Sequence, residues 1–405
     1  MSEQPLELLL GLDHDAGSAI TPAPAHLVSW GLGVESSAYL TEVLSSPERY
    51  GIDFARMVVI HAVVGGEWNS TIIDAERFLL PMLAERGVRT VQIARGGPRD
   101  ADGIVVLDDS RHPAMIHRRG PWTLEDESER SGTVPQLSHR RCSLKFKGWV
   151  LDQWIARFVG RQRYEHVIGY SVDELTRAKR DLVYATATRT PSHPLIEWGW
   201  TRAACSARLM AEFGVIWKKS ACVFCPYSGG RSLESTMRRM WENPEEAVIA
   251  LMLEAPAMML NPNSKLYGTH SLLDRLIEDG NTAAIELFHR RLEARPWSVY
   301  DVRRVYFPAK DDPMRKGTAW RSVKPLFTGN AHQARALLRA NDAGRPVGPD
   351  GRLWLRHQDE FATYPKAERF LVATVAGVRE KERVNFTAQW QRITGEVDDL
   401  FSGAD

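Results

Sequence analysis

Residues 26–40 read HLVSWGLGVESSAYL. A short apolar run, Leu27 and Val28, meets a turn carrying Gly31 and Gly33. The turn opens into a helical repeat of Ala38, Tyr39, Leu40, Val43 and Leu44 that Pro47 stops. A strand, a glycine turn and a helix N-terminus make an anion site. Bare backbone approaches a phosphate, several N–H groups point at it, and the helix dipole favours negative charge. Ser29, Ser36 and Ser37 add hydroxyl donors. The alternative is an ordinary strand-to-helix turn that needs glycine for its dihedrals.

Outward from this unit, residues 57–63 (MVVIHAV) predict a second strand and residues 88–94 a third, with a helical stretch over 71–85 that Pro81 is expected to interrupt. Strands alternating with helices predict an α/β fold with a doubly wound parallel sheet. Residues 96–140 hold glycine, proline and many charges with little periodicity, which predicts a long loop over the sheet's carboxyl edge. Trp149, Val150, Trp154, Ile155 and Phe158 space out an amphipathic helix over 145–159, and 166–170 reads as another strand. Helical patterns follow over 201–213 and 231–254. Past residue 245 the alternation stops, and patterns such as 271–277 and 282–292 predict a mainly helical region. The expected organisation is therefore a loose leader over 1–25, a nucleotide-binding domain over 26–245 and a mainly helical region over 246–405.

The glycine turn is not a Walker A loop, because no Lys-Ser/Thr pair follows the last glycine. Nor does it fit a nicotinamide site: Asp53, the one acid about 20 residues on, precedes the second strand instead of ending it. Residues 29–37, SWGLGVESS, instead resemble the pyrophosphate loop (PP-loop) of the adenine-nucleotide alpha-hydrolase superfamily, in its phosphoadenosine phosphosulfate reductase-like branch. The usual form is Ser-Gly-Gly-x-Asp-Ser; here Leu32 replaces the middle glycine and Glu35 the aspartate. Four later segments match in order and spacing: Gly65-Gly66-Glu67-Trp68 with Thr71; Arg141-Cys142 with Lys145; Ile168-Gly169-Tyr170 with Asp173, Glu174 and Arg177; and Cys222-Val-Phe-Cys225-Pro226-Tyr227.

The resemblance implies a PP-loop fold holding ATP, or phosphoadenosine phosphosulfate, with Mg²⁺. The contacts would come from Ser29, Trp30, Gly31, Gly33, Glu35, Ser36, Ser37, Gly169, Asp173 and Arg177. Arg141 and Lys145 are candidates for contacting phosphate or sulfate oxygens, which guanidinium forks and ammonium groups both hold. Glu67 follows the second strand at the usual ligand edge of such a sheet. His61, His139 and His193 read as core or surface histidines.

All four cysteines, Cys142, Cys205, Cys222 and Cys225, fall inside the matched region. A Cys-x-x-Cys turn can set two thiolates on one ion, and Cys142 and Cys205 could complete the set. Relatives with this arrangement carry an iron–sulfur cluster, so the resemblance implies [4Fe-4S]; tetrahedral zinc fits the same ligands, and a metal-free site stays open. Sulfonucleotide reductases use a nucleophilic cysteine near the C-terminus, and this chain has none after Cys225. The expected activity is adenylation of a substrate by ATP with pyrophosphate release, coupled to iron–sulfur-assisted sulfur transfer. A sulfonucleotide reductase and a non-catalytic adenine-nucleotide-binding module in a larger assembly are the alternatives.

The 405 residues are 43% hydrophobic and 25% charged, with a net charge of +1, so bulk charge points to no polyanionic partner. No apolar run approaches the ~18 residues of a membrane span, and Leu8-Leu9-Leu10 is too short and acid-flanked for a secretion signal. A cytoplasmic location, with reduced or metal-bound cysteines, is expected. Residues 300–329 interleave Arg303, Arg304, Lys310, Arg315, Lys316, Arg321 and Lys324 with Tyr306, Phe307 and Trp320, which predicts a possible nucleic-acid contact. A sulfur-donor protein is a further expected partner.

Overall fold

The computed structural model describes residues 24–137, 140–340 and 345–396, apart from the side chain of Arg141. The 1–25 leader therefore falls almost wholly outside the described residues, as does His139.

The first half of the chain builds one six-stranded sheet. Its strands are β1 (His26–Ser29), β2 (Met57–Ala62), β3 (Arg89–Arg95), β4 (Ile104–Ser110), β5 (Tyr164–Ile168) and β6 (Arg189–Ser192). The spatial order is β4-β3-β2-β1-β5-β6, parallel throughout except for β4, which runs against β3. Every residue of β2 is buried, as expected of a strand covered on both faces. One face carries Val28, Val59 and the helix Val34–Ser45; the other carries Leu27, Val58, Ile60 and Trp154. The Val34–Ser45 helix is buried from Val34 to Leu44, because the helix Arg202–Phe213 covers its outer side.

The expected break at Pro81 does not occur. Helix runs from Asn69 to Glu85 through a π turn over Ala75–Leu79. A proline inside a helix lacks its N–H and crowds the carbonyl four residues back, and the wider π turn absorbs both defects. The expected loop over 96–140 holds β4 and the helix Leu124–Ser131 instead. That helix is charged nearly all round and shows no apolar stripe; a reciprocal capping box between Thr123 and Asp126 starts it.

The C-terminal region corrects the expectation of a mainly helical extension. Helices Pro244–Leu260, Leu272–Glu278 and Thr282–Ala294 lead into β7 (Trp297–Pro308), β8 (Lys316–Gly329), β9 (Arg352–Arg356) and β10 (Lys366–Val375). These four strands form an antiparallel sheet in the order β8-β7-β10-β9. The basic residues of β7 turn inward. Arg304 pairs with Glu368 at 2.9 Å and Arg303 with Glu382 at 3.1 Å, while Asp301 takes Arg369 at 2.7 Å. Arg321 donates to the carbonyl of Ser131 at 2.9 Å. The 300–329 stretch thus holds Arg303, Arg304 and Arg321 in ion pairs and backbone contacts, while Lys310, Arg315, Lys316 and Lys324 are exposed. No described helix is long and apolar enough to cross a membrane.

Candidate functional site

The chain leaves β1 toward β2 on one side and returns, after β4, to β5 on the other. The carboxyl ends of β1 and β5 therefore flank a topological switch point, where open α/β sheets take their ligands. The residues 30–33 turn sits there. Its carbonyls are all held by protein donors. Trp30 O accepts from His61 Nδ1 at 2.9 Å, Gly31 O from Ser220 Oγ at 2.7 Å and Leu32 O from Trp217 Nε1 at 3.0 Å. Gly33 O accepts from Ser37 N at 3.0 Å and Ser36 Oγ at 3.3 Å. The N–H groups of Gly31, Leu32 and Gly33 find no acceptor among the described residues. No heavy atom lies within 4 Å of where a Cβ on Gly31 would stand, so the turn faces open space.

Leu32 occupies the left-handed region at φ 58°. That conformation favours glycine. Leucine is retained here because its side chain is fully buried in the core beneath the turn. Leu32→Gly is expected to cost about 2 kcal/mol, since the lost apolar burial outweighs the ~1 kcal/mol of relieved backbone strain. Urea denaturation measures this directly.

Gly169, just past β5, touches the start of the Val34–Ser45 helix. A Cβ at Gly169 would stand 2.8 Å from both Cα and N of Ser36. Ser29 lies at the end of a buried polar chain. Arg189 Nε donates to His166 Nδ1 at 2.9 Å, so Nε2 carries the proton toward Ser29 Oγ, 2.8 Å away. Burial, with Arg189 beside it, pulls His166 down to about 4 and keeps it neutral. Ser29 Oγ is thus an acceptor from below, and its own hydroxyl proton is free for another group.

The Gly65-Gly66-Glu67-Trp68 segment and the Cys222 segment are brought together. Val223 N donates to Gly66 O at 2.7 Å, and Glu67 bridges Cys222 in antiparallel fashion. Gly66 at φ 71° lies against Phe224, whose ring atom would be 2.5 Å from an added Cβ. Glu67 Oε1 accepts from Ala221 N at 2.8 Å, and Oε2 lies 2.9 Å from Ser220 Oγ; with the single Ser220 proton on Gly31 O, the protonated Glu67 carboxyl donates to Ser220 Oγ. Ser220 therefore links Glu67 to the carbonyl of Gly31. Burial pushes the Glu67 carboxyl up to about 7, against the lowering effects of Ala221 N, Lys147, Ser220 and Arg239. A narrow cleft joins Gly31, His61, Glu67, Lys147 and Cys222.

Other expected residues are placed differently. Glu35 pairs with Arg202, whose own N–H donates to Asp173 at 2.7 Å. Arg177 pairs with Glu174 and lies over the Tyr170 ring at 4.7 Å. Trp30 Nε1 donates to Ser37 Oγ at 3.1 Å, which makes both structural parts of the turn. Arg141 begins a short helix, and its side chain lies outside the described residues. Lys145 donates to Glu127 at 2.8 Å and to the carbonyl of Pro98 at 3.2 Å. Lys147, which the sequence reading passed over, lines the cleft instead. A π turn over Leu144–Gly148 shifts the helical phase between the two lysines. Ser220 was missed as well, because nothing in its local sequence distinguishes it, while Trp217, expected in the core, is buried there and also holds the turn.

The four cysteines do not assemble. Cys142, Cys222 and Cys225 are near neighbours, and Cys142 and Cys222 pack against the same apolar cluster. Cys205 sits fully buried in a different cluster, on the helix packed against Val34–Ser45, with Glu35 and Asp173 as its charged neighbours. Burial pushes the Cys222 and Cys225 thiols up and Cys205 up to about 12. Among the described residues, no three His, Cys, Asp or Glu side chains converge closely enough to hold a metal ion. Cys142, Cys222 and Cys225 therefore share one part of the fold while Cys205 lies apart from them, and Cys222 Sγ donates to Gly65 O at 3.4 Å.

No protein-family model matches the chain, and neither a curated protein nor a solved structure matches it.

Proposed function

We propose that this chain is a PP-loop enzyme that binds MgATP at the 30–33 turn and cleaves it between the α and β phosphorus atoms, transferring the adenylyl group to an acceptor. The observation that carries this reading is the turn itself, with carbonyls tied back by His61, Ser220 and Trp217 and amides that find no acceptor among the described residues. Such a turn at a helix N-terminus stabilises the charge that builds up on a leaving pyrophosphate. Mg²⁺ arrives with the nucleotide as part of the substrate. Ser29 offers a hydroxyl proton, and Lys147 a positive charge, on either side of the turn. Glu67, with a carboxyl titrating near 7, is suited to accept the proton of the attacking acceptor. Binding orients the α-phosphate, attack displaces pyrophosphate, and the acceptor leaves as its adenylate. The sulfonucleotide-reductase alternative has no terminal cysteine to support it.

Phosphorus NMR of MgATP incubated with the protein tests this reading. AMP-type product with pyrophosphate supports it; ADP with orthophosphate overturns it. Sulfur transfer would take a persulfide on one of Cys142, Cys222 and Cys225, loaded from a persulfide-bearing donor protein: its outer sulfur attacks the adenylated centre, AMP leaves, and a neighbouring thiol frees the product by forming a Cys–Cys disulfide that an external thiol then reduces. Metal analysis of anaerobically purified variants checks the separation of Cys205. Any metal content of the wild type is expected to persist in Cys205→Ala and to fall in Cys142→Ala; equal loss in both would show that all four thiols act together.

A further inference from the structure

We propose that the C-terminal half carries a second ligand site, a pocket for an amphipathic carboxylate, between the helices Pro244–Leu260 and Ala331–Ala340. The space measures about 470 Å³, within the ~300–1,000 Å³ typical of small-molecule pockets. Its lining starts at Leu251 and includes no residue of the phosphate turn or the cysteine segments.

The walls are apolar and adaptable. Met258 and Met259 come from one helix, Phe288 and Leu292 from another, and Leu338 and Trp297 face them. Methionine side chains repack around an irregular guest at little cost. Gly351, at φ 74°, forms part of the wall; a Cβ there would stand 2.9 Å from Met259 Cε. Glycine thus lets this stretch of backbone sit directly against the methionine.

The polar groups on the rim select the head group. Arg335, Arg339 and His289 line the pocket, and Arg339 and His289 are exposed. The Arg335 guanidinium lies over the Trp297 ring at 4.4 Å, which holds it flat beside the apolar wall. One lining acid, Glu254, is already used: its two oxygens accept Leu266 N at 2.7 Å and Leu272 N at 2.5 Å. Glu293 takes one nitrogen of Arg335 at 2.7 Å, leaving the rest of the guanidinium fork. Ser271 is occupied as the cap of the Leu272–Glu278 helix. Guanidinium forks match carboxylates, and the apolar interior suits a short alkyl or aryl body. A cationic head group would meet like charge at this rim.

Calorimetric titration with decanoate and with decylamine, which share one chain and differ in head group, tests the proposal. Decanoate is expected to bind once per chain and raise Tm; decylamine is expected to do neither. Arg339→Gln should weaken decanoate at least tenfold without changing the melting of the ligand-free protein. Ala255→Phe, which fills the space, should abolish binding; if that variant fails to fold by circular dichroism, the exposed Arg339→Gln decides alone. No decanoate binding, equal binding of the two amphiphiles, or binding unchanged by Arg339→Gln would each overturn the assignment.

Discussion

Glu67→Gln is expected to make the protein more stable at pH 8 and at the same time to lower AMP and pyrophosphate formation by about 100-fold or more, the usual worth of a positioned proton acceptor. The two effects share one cause. Burial favours the neutral form of Glu67 and pushes its carboxyl up to about 7. A carboxyl raised by folding adds stability that is complete below the ordinary carboxylate range. That stability has been lost once pH passes about 7, because the native state must then ionise the group in a poor solvent. Lys147, Arg239, Ala221 N and Ser220 offset part of this cost. Glutamine keeps the geometry: its oxygen accepts from Ala221 N, and its amide donates to Ser220 Oγ, which in turn still donates to Gly31 O. The gain at pH 8 should be about 2 kcal/mol, shrinking to near zero at pH 4, as urea denaturation at the two pH values would register. Equal stability changes at both pH values would remove the proposed titration.

Gly169→Val is expected to reduce nucleotide affinity at least 100-fold while leaving a folded protein weakened by about 1–3 kcal/mol, the usual penalty of overpacking. The added Cβ would meet Ser36 Cα and N at 2.8 Å and the carbonyl carbon of Glu35 at 3.1 Å. Both partners are backbone, one fixed by the central sheet and the other by a buried helix, so neither gives way cheaply. The first helical turn must shift, and with it the amides proposed to hold the phosphate. Amide positions matter at this scale because each lost donor to a developing charge costs several kcal/mol. Unchanged MgATP binding in a folded Gly169→Val variant would mean that the first turn takes no part.

The β1 strand, its glycine turn and the following helix were legible because three local signals agree: the apolar run, the glycines and the 3.6-residue repeat. Gly169 was legible by spacing, and the close approach to Ser36 supplies the physical reason for a glycine there. The C-terminal sheet was not legible. In β10 every residue from Ala367 to Val375 is buried, so the strand has no polar alternation to betray it. In β7 the arginines read as surface until their acids, Glu368 and Glu382, are seen across the sheet and beyond it. Lys147 was hidden by a π turn, which no simple helical count anticipates. Cys205 was grouped with the other thiols because it falls in the same matched region, whereas its helix turns it into the core beside Val34–Ser45, as a small buried hydrophobe. Residue type was visible in each case; direction was decided by partners distant in sequence.

Calorimetric titration of MgATP into the wild type and Gly31→Ala tests most directly whether the turn grips phosphate. An alanine methyl at residue 31 meets no protein atom within 4 Å, so the melting temperature should stay the same. That methyl would stand where the phosphate must approach, and affinity should fall at least tenfold. Absence of heat with the wild type, or equal binding by both proteins, would contradict the account.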